Sequence, residues 1–156
     1  MVNISFERAT PDDAEALVDA QIRAFHYDTV LYPGVEESDP PGYDSVEATL
    51  KKICEDEFYK IVVDGQIVGG IILFEREPGH FHLDVLNIVP EYQNYGIGTR
   101  AIEFIEQTYP ASKWTLDTPA YAIRNQHFYE KLGYVKVGEN QEAGGLLLFA
   151  YEKRMS

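Results

Sequence analysis

The sequence predicts an α/β (α+β) fold in which helices flank a β-sheet, and three observations carry that expectation. Apolar residues alternate with period two in some stretches and recur every three to four residues in others, so strands and helices interleave along one chain. An Asp64-Gly65 pair separates two strand-like runs, and strands joined so tightly are antiparallel. The chain has 156 residues, 45% of them hydrophobic, which suits one domain over residues 1–156 with a sizeable core.

Residues 3–9 set Ile4, Phe6 and Arg8 against polar neighbours and read as a strand. Thr10-Pro11-Asp12-Asp13 then supplies an N-cap, a first-turn proline and acidic residues for a helix whose apolar face is Ala14, Leu17, Val18, Ile22 and Phe25. From His26 to Tyr43 the chain carries several aromatics, Pro33, Pro40, Pro41 and two glycines, and reads as a long loop. A second helix opens at Asp44 or Ser45. Val46, Leu50, Ile53 and Cys54 recur along it at helical spacing, which predicts a buried, structural Cys54. Residues 58–63 and 67–74 are the two hairpin strands, Pro78-Gly79 marks the next turn, and residues 81–89 form a third strand that ends at Pro90. Beyond it lie a helix with Ile97, Ala101, Ile102, Phe104 and Ile105 on its apolar face, a strand at 114–118, a short helix closing at Gly133, and a final strand at 146–151.

Composition narrows the function. With 26 acidic and 13 basic residues the net charge is −13, which opposes binding to a nucleic-acid backbone and suits a cationic partner or a merely solvated surface. No run approaches the roughly 20 apolar residues of a membrane span. The first residues lack the layout of a signal peptide, and the single cysteine precludes an internal disulfide, so a cytoplasmic protein with no membrane partner is expected.

The chemistry starts after the third strand, at Gln93, Asn94, Tyr95, Gly96, Ile97, Gly98 and Thr99, which run straight into a helix. Glycines at a helix start let backbone N–H groups and the positive end of the helix dipole face a pyrophosphate, although turn-forming or packing glycines would look the same. Ile88-Val89-Pro90 followed by Gln93-x-x-Gly96-x-Gly98 resembles the cofactor loop of the GCN5-related N-acetyltransferase (GNAT) superfamily, and Phe128-Tyr129-Glu130-Lys131-Leu132-Gly133-Tyr134 is similar to that family's second signature. The resemblance implies a mixed, splayed sheet and acetyl-CoA bound by that loop, by the strand backbone at Leu86, Asn87 and Ile88, and by Asn125. It further implies Tyr129 as the acid that protonates the departing thiolate and a base at the position of His82, with Asp84 on the same strand face to orient it. A metal site at His80, His82 and Asp84, or plain surface polarity, are the other readings of those three residues.

By the same resemblance the segment 26–43 shapes an acceptor pocket for a small-molecule or peptide amine, with Tyr27, Tyr32 and Tyr43 lining it and Glu36, Glu37 and Asp39 attracting a cation. Exposed strand edges in the carboxyl-terminal hairpin make a homodimer plausible. Two other functions fit parts of the sequence. A non-catalytic acyl-CoA sensor would use the same loop. Gly96-x-Gly98-x-x-Ala101 with Asp117 downstream also satisfies a dinucleotide-binding fingerprint, which would make the chain an oxidoreductase.

Overall fold

The computed structural model describes residues 3–32, 42–142 and 145–155. Its elements are β1 (Ile4–Arg8), α1 (Ala14–Leu31), α2 (Val46–Glu55), β2 (Glu57–Val63), β3 (Gln66–Glu77), β4 (His80–Ile88), α3 (Ile97–Thr108), β5 (Lys113–Pro119), α4 (Ile123–Lys131), β6 (Val135–Gln141) and β7 (Leu147–Arg154). The strands form one seven-stranded sheet in the order β1-β2-β3-β4-β5-β7-β6. Left-handed Asp64 and Gly65 turn β2 into β3, and left-handed Gly79 turns β3 into β4, so these neighbours are antiparallel. α3 carries the chain back between β4 and β5, which makes that pair parallel and the sheet mixed, as expected.

Strand β4 is irregular on both of its edges. Its register against β3 slips at Asp84: Leu73 faces Leu83 while Ile72 faces Val85, leaving Asp84 as the extra residue of a bulge. Its pairing with β5 joins His80–Leu83 to Lys113–Leu116 and then stops, although both strands continue. The sheet is therefore splayed from Asp84 onward.

The two faces of the sheet bury separate clusters. α3 lays Ile97, Ala101, Ile102 and Ile105 on Leu83, Trp114, Leu116, Tyr134 and Tyr151, while Ala14, Leu17 and Ile53 of α1 and α2 cover Phe58, Ile72 and Val85. At roughly 25 cal/mol per Å² this burial is the main force that holds the helices to the sheet. Strands β3 and β4 approach so closely that a Cβ on Gly69 would lie 2.1 Å from the Asn87 carbonyl oxygen.

Two expectations change. α1 does not give way to a loop at His26 but runs to Leu31, because residues 26–31 contain no helix breaker and Phe25 and His26 gain ring contacts with Tyr43. The first breaker is Pro33, which disfavours helix in the residue before it. Pro33, Glu36, Glu37, Asp39, Pro40 and Pro41 lie outside the described residues. Cys54 is exposed rather than buried: α2 turns Thr49 and Ile53 inward, and buried Gln21 donates a hydrogen bond to the Thr49 hydroxyl at 3.3 Å, which rotates Cys54 outward.

Candidate functional site

The loop between β4 and α3 is shaped by three local devices. Pro90 starts a single 3-10 turn, Gln93 reaches back to donate from Nε2 to the Ile88 carbonyl at 3.0 Å, and left-handed Asn94 (φ 69°) and Gly96 (φ 76°) flank Tyr95. Asparagine tolerates that conformation better than most residues, and glycine is free of its steric cost. Gly96 is the N-cap of α3, and no side chain caps the helix. The amides of the first turn, at Ile97, Gly98 and Thr99, therefore lack intrahelical acceptors at the positive end of the helix dipole. The glycines divide the labour. A Cβ on Gly96 would meet open space, whereas one on Gly98 would come within 3.0 Å of the Phe128 ring, so Gly98 is small in order to let α3 approach α4.

Beside this loop lies the wedge between β4 and β5. Leu86, Asn87 and Ile88 pair with Ile71, Gly70 and Gly69 on one side, while β5 has left them on the other. Backbone polar groups on that open side need partners, and an extended amide-containing chain would supply them. Asn87 and Thr118 are buried near the parted ends, at 5% and 2% exposure, and Asn87 Nδ2 and Thr118 Oγ1 have no hydrogen-bond partner among the described residues. Orphaned buried polar atoms at a parted pair of strands, next to an uncapped helix start, fit a ligand with a pyrophosphate and an amide-bearing arm.

Helix α4 brings the second set of residues. Tyr129 is partly buried against Phe128 and Tyr134, at ring distances of 5.0 and 5.9 Å. Burial pushes its phenol above the usual tyrosine range, so it stays protonated, and its hydroxyl makes no hydrogen bond among the described residues. Asn125 lies exposed one helical turn earlier. Of the three tyrosines expected to line an acceptor pocket, Tyr43 sets its ring against Phe25 and His26, Tyr27 is half-buried on α1, and Tyr32 holds the start of α4: its hydroxyl accepts from the Arg124 backbone N–H at 3.2 Å and its ring lies 5.3 Å from Tyr121. Ala122 has no side chain to cap that helix, which leaves the amide available to Tyr32.

On the face of the sheet opposite α3, His82 is only 5% exposed. Its Nδ1 lies 2.8 Å from Thr115 Oγ1 and its Nε2 lies 3.8 Å from Asp117 Oδ2. Burial, with a contribution from Arg76, pushes its pKa down to about 4, so at pH 7 the ring is neutral and keeps a lone pair for a proton. Burial also raises the carboxyl of Asp117. The expected orienting group was Asp84, but Asp84 is the bulged residue and pairs with Lys52 at 2.8 Å. Thr115 and Asp117 take its place. The sequence offered a signal for them, since positions 115 and 117 share a face of β5, but nothing local says that this face meets His82. Among the described residues no three His, Cys, Asp or Glu side chains converge to hold a metal.

The same architecture recurs among known proteins. Residues 38–155 match the acetyltransferase (GNAT) domain model. The chain is 38% identical over 79 residues to the uncharacterized protein YrkN of Bacillus subtilis (strain 168), a stretch spanning 49% of this chain and 43% of that protein. Among solved structures, a GNAT-family acetyltransferase from Streptococcus agalactiae 2603 superposes with a TM-score of 0.83 at 14% identity, covering 98% of this chain and 96% of the other. A Bacillus anthracis str. Ames structure in complex with acetyl coenzyme A matches with a TM-score of 0.59 at 19% identity, over 65% of this chain and 63% of the other.

Proposed function

The chain belongs to the GNAT acetyltransferase family, and from that premise we propose that it moves an acetyl group from acetyl-CoA directly to a primary amine of a small molecule or peptide. The observation that carries this reading is the wedge between β4 and β5 opening beside the uncapped start of α3. Acetyl-CoA, the cofactor of the family, supplies the acetyl group as an activated thioester. The first-turn amides at Ile97, Gly98 and Thr99, together with the loop Gln93-Asn94-Tyr95-Gly96, hold its pyrophosphate. The open backbone of Leu86, Asn87 and Ile88 takes its amide-bearing arm, and Asn125 gives a further hydrogen bond from α4.

Two residues of this chain manage protons. His82, neutral and bare at one ring nitrogen, takes the proton of the attacking amine. Tyr129, kept protonated by burial and with a hydroxyl that makes no hydrogen bond among the described residues, gives one to the leaving sulfur. Tyr27 and Tyr32 stand at the acceptor end, and the acidic surface draws in a cation. The same reading takes residues 1–156 as one cytoplasmic domain, paired into a homodimer through the exposed edge strand β6.

Isothermal titration of acetyl-CoA, CoA and NADH tests the proposal. Binding of the two CoA compounds, abolished by Gly96→Glu, together with turnover of an amine panel, supports it. Binding without turnover favours the sensor reading. The dinucleotide reading needs a doubly wound parallel sheet, and this sheet has one parallel pair; NADH binding alone would restore it.

A further inference from the structure

Thr115 stands between two imidazoles. Its Oγ1 lies 2.8 Å from His82 Nδ1 and 2.8 Å from His80 Nε2, so two rings of β4 share one hydroxyl of β5. A threonine hydroxyl has one proton to donate and two lone pairs to accept with. When it donates to one ring it can only accept from the other. The three side chains then form a directed hydrogen-bonded chain that starts at His82 Nε2, beside Asp117, and ends at His80. The two ends differ in their surroundings. His82 is 5% exposed, with Arg76, Asp84 and Asp117 as its charged neighbours, while His80 is partly exposed among Lys113, Arg76, Glu77 and Glu152. Burial, Lys113 and Arg76 disfavour a positive charge on His80 as well, but less than burial disfavours it on His82, so the charge costs less on the outer ring.

We propose that Thr115 and His80 are positioning residues that draw the acceptor's proton off His82, so that the charge appears on His80. The inference rests on the acetyltransferase reading, in which His82 faces the amine. In the receiving polarity His82 carries its proton on Nδ1 and donates it to Thr115, which donates its own to His80 Nε2. The N–H bond of the amine breaks and its proton joins His82 Nε2. The Nδ1 proton passes to Thr115 Oγ1, and the Thr115 proton passes to His80 Nε2. One positive charge has moved from the amine to His80, which sheds its Nδ1 proton to water. Once the product has left, His80 takes a proton from water at Nδ1, the three bonds reverse, and His82 gives up its Nε2 proton to water.

Nitrogen NMR of protein labelled with ¹⁵N-histidine reads the protonation of each ring nitrogen without any acceptor. The expected result is complementarity: of His82 Nδ1 and His80 Nε2, one carries a proton and the other does not. Protons on both would break the chain and overturn the inference. Thr115→Val keeps the β-branched shape and removes the hydroxyl. With spermidine, lysine and an alanyl peptide as acceptors, it should lower kcat by roughly tenfold or more, leave KM and acetyl-CoA affinity within about twofold, and be rescued by Thr115→Ser. A valine variant with wild-type kcat would overturn the relay. Failure of the wild-type protein to bind acetyl-CoA would instead sink the function proposed above, and the NMR comparison would still decide whether the chain exists.

Discussion

His82 couples protonation to folding. Its pKa in the folded protein, about 4, lies below the ordinary histidine value, so the unfolded chain binds more protons as the pH falls. The stability contributed by the neutral ring is fully present above about pH 6.5 and lost as the pH drops toward 4, for a total of about 3 kcal/mol. Urea denaturation across that window should show His82→Gln losing about that much less than the wild type. Tyr129 makes the opposite kind of prediction. Its hydroxyl bonds nothing in the described structure, so Tyr129→Phe should leave thermal stability nearly unchanged while lowering kcat by roughly 10²-fold at constant acetyl-CoA affinity, as steady-state kinetics would reveal. At this scale the sequence was partly legible. His82 and Tyr129 stood out by residue type and by their place in a motif. Thr115 did not, and Asp117 did so only in the dinucleotide fingerprint, because their partner lies more than 30 residues away and is reached only by strand pairing.

Elements bounded by turn chemistry were readable from the sequence, whereas an end fixed by tertiary contact was not. Asp64-Gly65, Gly79 and Ser45 each announce their turn or cap, and the structure uses all three there. The end of α1 depends on Tyr43 docking onto Phe25 and His26, and the exposed face of α2 depends on Gln21 reaching Thr49; neither contact leaves a mark on local periodicity. Glycines separate the element-scale predictions. Gly96→Ala meets no atom but must hold a left-handed conformation, so it should cost about 1 kcal/mol by denaturant titration. Gly69→Ala would drive a Cβ into the Asn87 carbonyl and pry β3 from β4, and should cost about 3 kcal/mol or more in the same assay.

Across the whole molecule, 26 acidic against 13 basic residues set up a field that repels itself and attracts cations. Raising the salt concentration through the range where the Debye length falls from about 30 to 8 Å should therefore raise the melting temperature. It should also raise KM for a polyamine acceptor while leaving KM for a neutral amino-acid ester less affected, since screening weakens long-range attraction. Among the described strands β4–β5 is the one parallel pair, and its pairing stops at Leu83 and Leu116 although both strands continue.

The single surplus residue in β4 has a consequence for how this architecture tolerates length changes. Without Asp84, Leu83 and Val85 would face Leu73 and Ile72 in unbroken register, inward and outward positions would alternate without interruption, and nothing in β4 would turn it from its parallel neighbour. The shortened strand would be more regular and would lack the gap. A one-codon deletion at this position, harmless to secondary structure, would thus erase the receptacle.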